Sequence, residues 1–212
     1  MKYYFIKQTD QPVLDLIFAG WGMDYHPFAN EQTSNDLCIC YDYTDLHLDT
    51  DLFTSYQAIR LISWSMGVWA AAQTFQHTSL PFTDKIAING TLEPIHNERG
   101  IPETIFEGTL NNLSESGMDK FNRRMCGSKE RLIHFNAHAP QRDIHSLHSE
   151  LASIYQQVRQ APLPVFQWTK IVVGKRDLIF PATNQIKAWS GNLIDEVDEA
   201  HFPTTFLGYA NQ

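Results

Sequence analysis

Five short apolar runs restrict the fold of this chain more than any other feature of its sequence. They lie at residues 13–20 (VLDLIFAG), 37–43 (LCICYDY), 58–63 (AIRLIS), 85–90 (KIAING) and 170–174 (KIVVG), and a weaker sixth run lies at 192–198 (NLIDEVD). Strands that are apolar at consecutive positions are buried on both faces, which is typical of parallel sheets covered by helices. Helical patterns at 66–76 and 181–190 alternate with the runs. The sequence therefore predicts an α/β fold with a mostly parallel, doubly wound sheet.

One long segment interrupts this alternation. Residues 91–162 contain no buried-strand pattern and carry several helical candidates instead. In the last candidate, apolar side chains recur every three or four positions, at Ile144, Leu147, Leu151, Ile154 and Val158. A block of about 70 residues between two strands is too long for an ordinary loop. We therefore predict a core formed by residues 1–90 and 163–212 and an inserted helical lid formed by residues 91–162.

Composition narrows the class of protein. The chain has 212 residues, 43% of them hydrophobic, which is typical of a folded domain. Its net charge of −8 disfavours nonspecific binding to nucleic acid. It has no apolar run long enough for a membrane span and no signal-peptide pattern at its N-terminus. We interpret Cys38, Cys40 and Cys126 as reduced thiols, and we expect a cytoplasmic monomer that needs no cofactor.

A serine stands where the third apolar run gives way to a helical pattern. In the sequence SWSMG, Ser65 has Ser63 two residues before it and Gly67 two residues after it. Small residues are required at these positions when a sharp strand-to-helix turn presents a nucleophile, although the usual pattern has glycine in place of Ser63. A helix N-cap is the alternative interpretation of Ser65.

A serine hydroxyl becomes a good nucleophile when a histidine accepts its proton and a carboxylate orients that histidine. Asp177 follows the fifth apolar run and His201 follows the sixth. The order Ser, Asp, His is the one expected after such a turn, and the carboxyl ends of parallel strands meet at one edge of the sheet. We predict a catalytic set of Ser65, Asp177 and His201. Asp195 and Asp198 compete for the carboxylate position.

Acyl transfer also needs donors for the negative charge that develops on the carbonyl oxygen. The amide of Met66 directly follows Ser65, and Gly20 and Gly22 flank Trp21 after the first apolar run. Flanking glycines allow the backbone to fold so that the amide of Trp21 faces the serine. We predict the amides of Trp21 and Met66 as the oxyanion hole and the side chain of Trp21 as part of the acyl pocket.

The pieces FAGWG, SWSMGVWAA, VGKRDLIFP and AHFP, together with FNRRMCG, resemble the BioG family of pimeloyl-[acyl-carrier-protein] methyl ester esterases over nearly the whole chain. The resemblance implies an α/β-hydrolase fold and a serine esterase of biotin biosynthesis that converts pimeloyl-acyl-carrier-protein methyl ester to the free acid and methanol. It implies Ser65 as nucleophile, His201 as general base and then acid, and Asp177 as the orienting carboxylate. Two alternatives remain: a carboxylesterase or thioesterase for free small substrates, and a catalytically silent binding module.

A basic segment at residues 120–142 stands out in this acidic chain, with six Lys and Arg residues against one acid. In esterases that this chain resembles, lid arginines engage the acidic acyl-carrier protein. By that resemblance we predict carrier docking on this segment, through Arg123, Arg124, Arg131 and Arg142, with Trp21 also contacting substrate. An ordinary solvated helix face is the alternative. Four histidines between residues 134 and 148 lack a ligand motif, so we predict no metal site.

Overall fold

The computed structural model describes residues 1–210, so residues 211 and 212 of the predicted core segment 163–212 lie outside the described residues. The described strands form one seven-stranded sheet in the order β1-β3-β2-β4-β5-β6-β7. The strands are β1 (Lys2–Lys7), β2 (Val13–Phe18), β3 (Asp36–Tyr41), β4 (Ala58–Trp64), β5 (Phe82–Ile88), β6 (Lys170–Gly174) and β7 (Asp195–Val197). β1 pairs antiparallel with β3, and the other neighbouring strands pair in parallel. The predicted mostly parallel sheet is confirmed.

Helices occupy the connections between the strands. They are α1 (Met66–Phe75), α2 (Glu103–Asn111), α3 (Glu115–Cys126), α4 (Lys129–Asn136), α5 (Ile144–Gln160) and α6 (Ala182–Ala188). Helices α2 to α5 lie between β5 and β6, within the segment predicted to form a lid, and the exact division into core and lid stays an interpretation. Across residues 1–210, none of the helices is both long enough and apolar enough to cross a membrane.

Local sequence signals account for the bounds of the lid helices. Ser114, Ser128 and Asp143 precede α3, α4 and α5, and each side chain accepts a hydrogen bond from a backbone amide of the first turn. Gly127 ends α3 with a φ of 71°, in the left-handed region that glycine adopts without steric cost. The lid segment is therefore built from separately capped helices rather than from one long loop.

None of the apolar runs in the sequence predicts β1. This strand lies at the edge of the sheet, and its first three side chains are exposed while its last three are only partly buried. An antiparallel edge strand needs no continuous apolar run, because one side of it faces solvent. The weak sixth run does contain a strand, but β7 is only three residues long.

Candidate active site

Ser65 connects β4 to α1 in a sharp turn. Its φ of 59° and ψ of −126° are uncommon for a residue with a side chain, and its amide donates to the carbonyl of Ile88 at 3.0 Å. A Cβ on Gly67 would lie 2.3 Å from the carbonyl oxygen of Phe18, so only glycine fits the close approach of α1 to β2. Ser65 makes no side-chain capping bond to α1. The turn has the geometry that the SWSMG pattern predicts. Ser65 occupies the N-cap position of α1, but its hydroxyl faces His201 instead of capping the helix.

The structure brings the three predicted catalytic residues together. His201 Nε2 lies 2.9 Å from Ser65 Oγ, and His201 Nδ1 lies 2.8 Å from Asp177 Oδ2. All three residues are buried, with His201 only 1% exposed. An imidazole that donates from Nδ1 to the carboxylate presents an unprotonated Nε2 to the hydroxyl and can accept its proton.

The two competing carboxylates lie away from this constellation. Asp195 is 3.7 Å from Lys170, and Asp198 is 2.8 Å from Arg176. Both carboxylates are more than half exposed. Their ion pairs belong to the surface near β7, so Asp177 is the carboxylate that the fold places behind His201.

Hydrogen-bond donors surround the carboxylate of Asp177. Oδ1 accepts from the amides of Ile179 and Phe180 at 2.8 and 2.9 Å. Oδ2 accepts from Nε2 of Gln185 at 2.9 Å as well as facing His201. Gln185 is fully buried on α6 and also donates to the carbonyl of Phe180 at 2.8 Å. These donors fix the orientation of the carboxylate. Sequence reasoning missed Gln185, and no local pattern marks it.

Asn89 links the two loops that carry Asp177 and His201. Its Nδ2 donates to the carbonyls of Ala200 and His201 at 3.1 and 2.8 Å, and its Oδ1 accepts from the amide of Gly174 at 2.7 Å. Asn89 directly follows β5 and has a φ of 48°. Sequence reasoning missed this residue too, although an Asn-Gly pair after a buried strand is a turn signal.

The amides predicted for the oxyanion hole lie next to the serine. Met66 opens α1, so its amide has no acceptor within the helix. A Cβ on Gly20 would lie 3.2 Å from Cβ of Ser65, which places the turn of residues 20–23 beside the hydroxyl. Among the described residues, neither the Trp21 amide nor the Met66 amide has a hydrogen-bond acceptor. Both donors are therefore open to a bound oxygen.

An apolar pocket opens onto Ser65 and His201. Its lining is mainly aromatic and aliphatic and comes from the core and from α2, α3 and α5: Trp21, Phe106, Phe121, Met125, Leu151 and Ile179. The side chain of Trp21 thus lines the pocket, as predicted, and its indole donates to the carbonyl of Leu147 at 3.0 Å. An apolar lining with a few polar groups at one end is typical of small-molecule sites.

A groove between α2 and α3 continues from this pocket. The two share Ile105, Thr109, Phe121 and Arg124 in their walls, and the groove also carries Lys120 and Arg123. Arg123 and Arg124 are exposed, so two of the four arginines predicted for carrier docking lie free on the surface beside the groove. Arg131 is engaged instead with Thr204 and lies 3.7 Å from Glu199.

The prediction that Arg142 docks a carrier protein is wrong, because its side chain is buried in an ion-pair cluster. Its side chain is only 7% exposed, and its guanidinium lies 2.6 Å from Glu150 and 3.4 Å from Asp42. A guanidinium that is buried against two carboxylates has no free face for a partner protein. Arg142 therefore belongs to the interior, and the basic segment exposes fewer positive charges than its charge count predicts.

Comparisons with known proteins agree with this architecture. The family model described as "Pimeloyl-ACP methyl esterase BioG" matches residues 1–209. The crystal structure of BioG from Haemophilus influenzae superposes with a TM-score of 0.88 at 36% identity, covering 96% of this chain and 94% of that one.

A curated relative, the malonyl-[acyl-carrier protein] O-methyltransferase of Bacteroides fragilis, is 48% identical over 195 residues. The match covers 91% of this chain but only 40% of that relative, so the chain spans about two fifths of its length. The peroxisomal alpha-beta-hydrolase Lpx1 of Saccharomyces cerevisiae is similar in fold alone, with a TM-score of 0.54 at 15% identity over 92% of this chain and 72% of that one. The predicted α/β-hydrolase fold is confirmed.

Proposed function

Because the chain belongs to the BioG family of pimeloyl-ACP methyl esterases, as its sequence predicted, we propose that it is a serine esterase acting on pimeloyl-acyl-carrier-protein methyl ester in biotin synthesis. One observation carries the proposal: the hydrogen-bonded series Asp177, His201, Ser65, with separations of 2.8 and 2.9 Å, opens onto an apolar pocket.

The proposed reaction has two halves. Ser65 Oγ attacks the ester carbonyl while His201 Nε2 accepts the hydroxyl proton, and the amides of Trp21 and Met66 donate to the oxyanion. His201 then protonates the departing methoxide, so methanol leaves and the acyl chain stays on Ser65. Water attacks this acyl-enzyme while His201 accepts one of its protons, and His201 passes that proton to Ser65 Oγ as the acyl bond breaks. The carboxylic acid is released and loses its proton to solvent.

The pocket and groove support a carrier-bound substrate. The apolar pocket suits the hydrocarbon chain behind the ester, and the groove leads from it to Lys120, Arg123 and Arg124 at the surface. An acidic carrier protein at this rim meets complementary charge, which favours encounter and register. The name of the Bacteroides relative also cites an acyl-carrier-protein substrate, although this chain matches only part of that protein.

Activity on the proposed substrate is tested directly. Purified protein is incubated with pimeloyl-acyl-carrier-protein methyl ester, and the free acid and methanol are measured by mass spectrometry. We expect Ser65→Ala to lower turnover by more than about 10³-fold without changing the thermal unfolding curve. Ser63→Ala, two residues away, is the matched control and retains turnover. Turnover that survives Ser65→Ala, or failure of a fluorophosphonate to label Ser65, refutes the serine mechanism.

Carrier docking requires a separate experiment. The double variant Arg123→Glu, Arg124→Glu should raise KM for the carrier-bound ester by about tenfold or more and leave KM for a small methyl ester within about twofold. Lys129→Glu reverses a charge in the same basic segment but outside the groove, so it is the matched control. Equal effects on both substrates would instead favour an esterase for free small substrates.

A further inference from the structure

A fully buried carboxylate lies behind the turn of residues 20–23. Glu150 is 0% exposed and projects from α5, where it occupies the otherwise apolar face of that helix. Its Oε2 accepts from the amide of Gly22 at 3.2 Å, and its Oε1 accepts from the amide of Tyr43 at 2.9 Å. Arg142 donates to Oε2 at 2.6 Å. Burial raises the pKa of Glu150, while Arg142 and the two amides act in the opposite direction.

The contact with Gly22 selects one conformation of the turn. The amide of Met23 donates to the carbonyl of Gly20 at 3.4 Å, and Gly22 has a φ of 80°, as the third residue of a type II turn requires. The hydrogen bond that closes the turn, from Met23 to Gly20, leaves the amides of Trp21 (second residue) and Gly22 (third residue) unused. Glu150 accepts the third, that of Gly22, and leaves the second, that of Trp21, open. Flipping the peptide between these two residues to the type I arrangement would turn the Gly22 amide away from Glu150.

The same part of the chain also holds the neighbouring turn residues. The indole of Trp21 donates to the carbonyl of Leu147 at 3.0 Å, and Arg142 donates to the carbonyl of Met23 at 3.3 Å. Three consecutive turn residues are thus each hydrogen-bonded to α5 or to the residues just before it. These bonds fix the position of the turn and the direction of the peptide between Trp21 and Gly22.

We propose that Glu150 is a positioning residue for ester hydrolysis. Its carboxylate, paired with the guanidinium of Arg142, holds the turn that presents the amide of Trp21 to the oxyanion. The inference rests on the proposed serine esterase function. Neither side chain is among the residues that line the pocket, so both act through the backbone of the turn. The effect belongs to stabilisation of the tetrahedral intermediate rather than to substrate binding.

Glu150→Gln tests the role while nearly preserving side-chain shape. Its NH2 group becomes a donor that faces the amide of Gly22 or that of Tyr43, and the remaining neutral oxygen is a weaker acceptor than a carboxylate, so the turn is held less firmly. We expect kcat for a small methyl ester to fall by about 10- to 100-fold with KM changed by less than about twofold. The affinity of an alkyl trifluoromethyl ketone, which forms a tetrahedral oxyanion adduct with Ser65, should fall by a similar factor.

The matched control is another buried carboxylate with an arginine partner. Asp15 is 0% exposed, lies 2.5 Å from Nε of Arg60, and sits on β2 away from the turn. Asp15→Asn should lower the melting temperature but leave kcat unchanged at temperatures where the variant is folded. If it lowers kcat as much as Glu150→Gln does, the loss reflects general destabilisation and the proposal is wrong.

A second variant covers the case in which Glu150→Gln does not fold. Combining it with Arg142→Met replaces the Glu150–Arg142 pair by neutral side chains, which often preserves stability. Asp42, the second carboxylate beside Arg142, keeps Lys2 at 2.9 Å. The double variant should still lose kcat by at least about tenfold. Retention of kcat within twofold in either folded variant overturns the positioning role, whereas turnover surviving in Ser65→Ala overturns the serine mechanism itself, so the two failures are distinguishable.

Discussion

Replacing Asn89 with alanine should destabilise the fold and misplace two catalytic side chains at once. The wild-type side chain is 2% exposed and makes three hydrogen bonds of 2.7 to 3.1 Å, two of them to the loop that carries His201. The third joins the amide of Gly174, three residues before Asp177. Alanine removes all three and adds no polar atom.

The size of the stability loss depends on which polar groups lose their hydrogen-bond partners. The carbonyl of His201 keeps a bond from the indole of Trp64 at 2.8 Å, but the amide of Gly174 and the carbonyl of Ala200 lose the Asn89 bond. A buried polar group without a partner costs about 1–3 kcal/mol. The left-handed φ of 48° adds about 1 kcal/mol for alanine relative to asparagine. The two groups and the strain together should lower the free energy of unfolding by about 3–7 kcal/mol, which corresponds to a fall of about 6–28 °C in melting temperature.

Two further variants separate backbone strain from hydrogen bonding at residue 89. Asn89→Gly removes the same hydrogen bonds without the left-handed strain, so it should be about 1 kcal/mol more stable than Asn89→Ala. Asn89→Asp keeps an acceptor for the amide of Gly174 but places a second oxygen against two carbonyls. It should therefore lose stability as well, despite its unchanged shape.

The assays are urea unfolding, kcat for a small methyl ester and the rate of fluorophosphonate labelling of Ser65. Because His201 activates Ser65, a displaced imidazole should slow labelling and hydrolysis together, by about tenfold or more, in protein that is still folded. A folded Asn89→Ala variant with a stability loss below about 1 kcal/mol, or with unchanged labelling and hydrolysis, would show that the loops are fixed by other contacts.

Three other predictions follow from individual side chains. Ser63 is buried, and its hydroxyl has no partner among the described residues, so Ser63→Ala should raise the melting temperature by about 2–4 °C; a lower melting temperature contradicts this. Gln185→Leu removes a donor to Asp177 and should lower kcat by about tenfold with KM unchanged, which steady-state kinetics will test. Burial raises the pKa of Cys126 to about 11, so only about one thiol in a thousand is ionised at pH 8, and iodoacetamide should modify it only after unfolding, as peptide mass mapping will show.

The sequence was sufficient to predict the parallel strands of the sheet and the order of the catalytic candidates. Strands β2, β3, β4 and β6 are buried along most of their length, as is the second half of β5. Burial on both faces requires apolar residues at consecutive positions, which a sequence pattern can detect. Ser65 is marked by the small residues around it, because a Cβ at position 67 would lie only 2.3 Å from a backbone oxygen of β2 and no larger residue fits there. Asp177 and His201 follow from their places after strands.

The supporting polar residues were not predictable, because their roles depend on contacts between distant parts of the chain. Asn89 is 112 residues from His201, and Glu150 is 128 residues from Gly22. The sequence does give one signal for Glu150, because a carboxylate on an apolar helix face needs buried hydrogen-bond partners. This signal does not identify the partners. Arg142 illustrates the same limit: a count of charges cannot separate a buried ion pair from a solvated guanidinium.

The hydrogen bonds of α5 indicate that this helix is attached to the sheet and does not belong to a mobile lid. Leu147 and Glu150 are bonded to the turn beside Ser65, and further along the same helix Gln157 donates to the carbonyl of Tyr43 at 2.9 Å. Displacing α5 would break these bonds and leave the buried carboxylate of Glu150 without its backbone partners, so the free-energy cost of the movement is high. Helices α2 and α3 supply Phe106 and Phe121 to the pocket wall without such bonds to the turn. The C-terminal end of α3 is held to the loop of His201, because the amide of Phe202 donates to the carbonyl of Met125 at 2.9 Å. If the pocket opens to admit a carrier-bound chain, we therefore expect the movement in α2 and the N-terminal part of α3, with α5 remaining fixed as part of the catalytic scaffold.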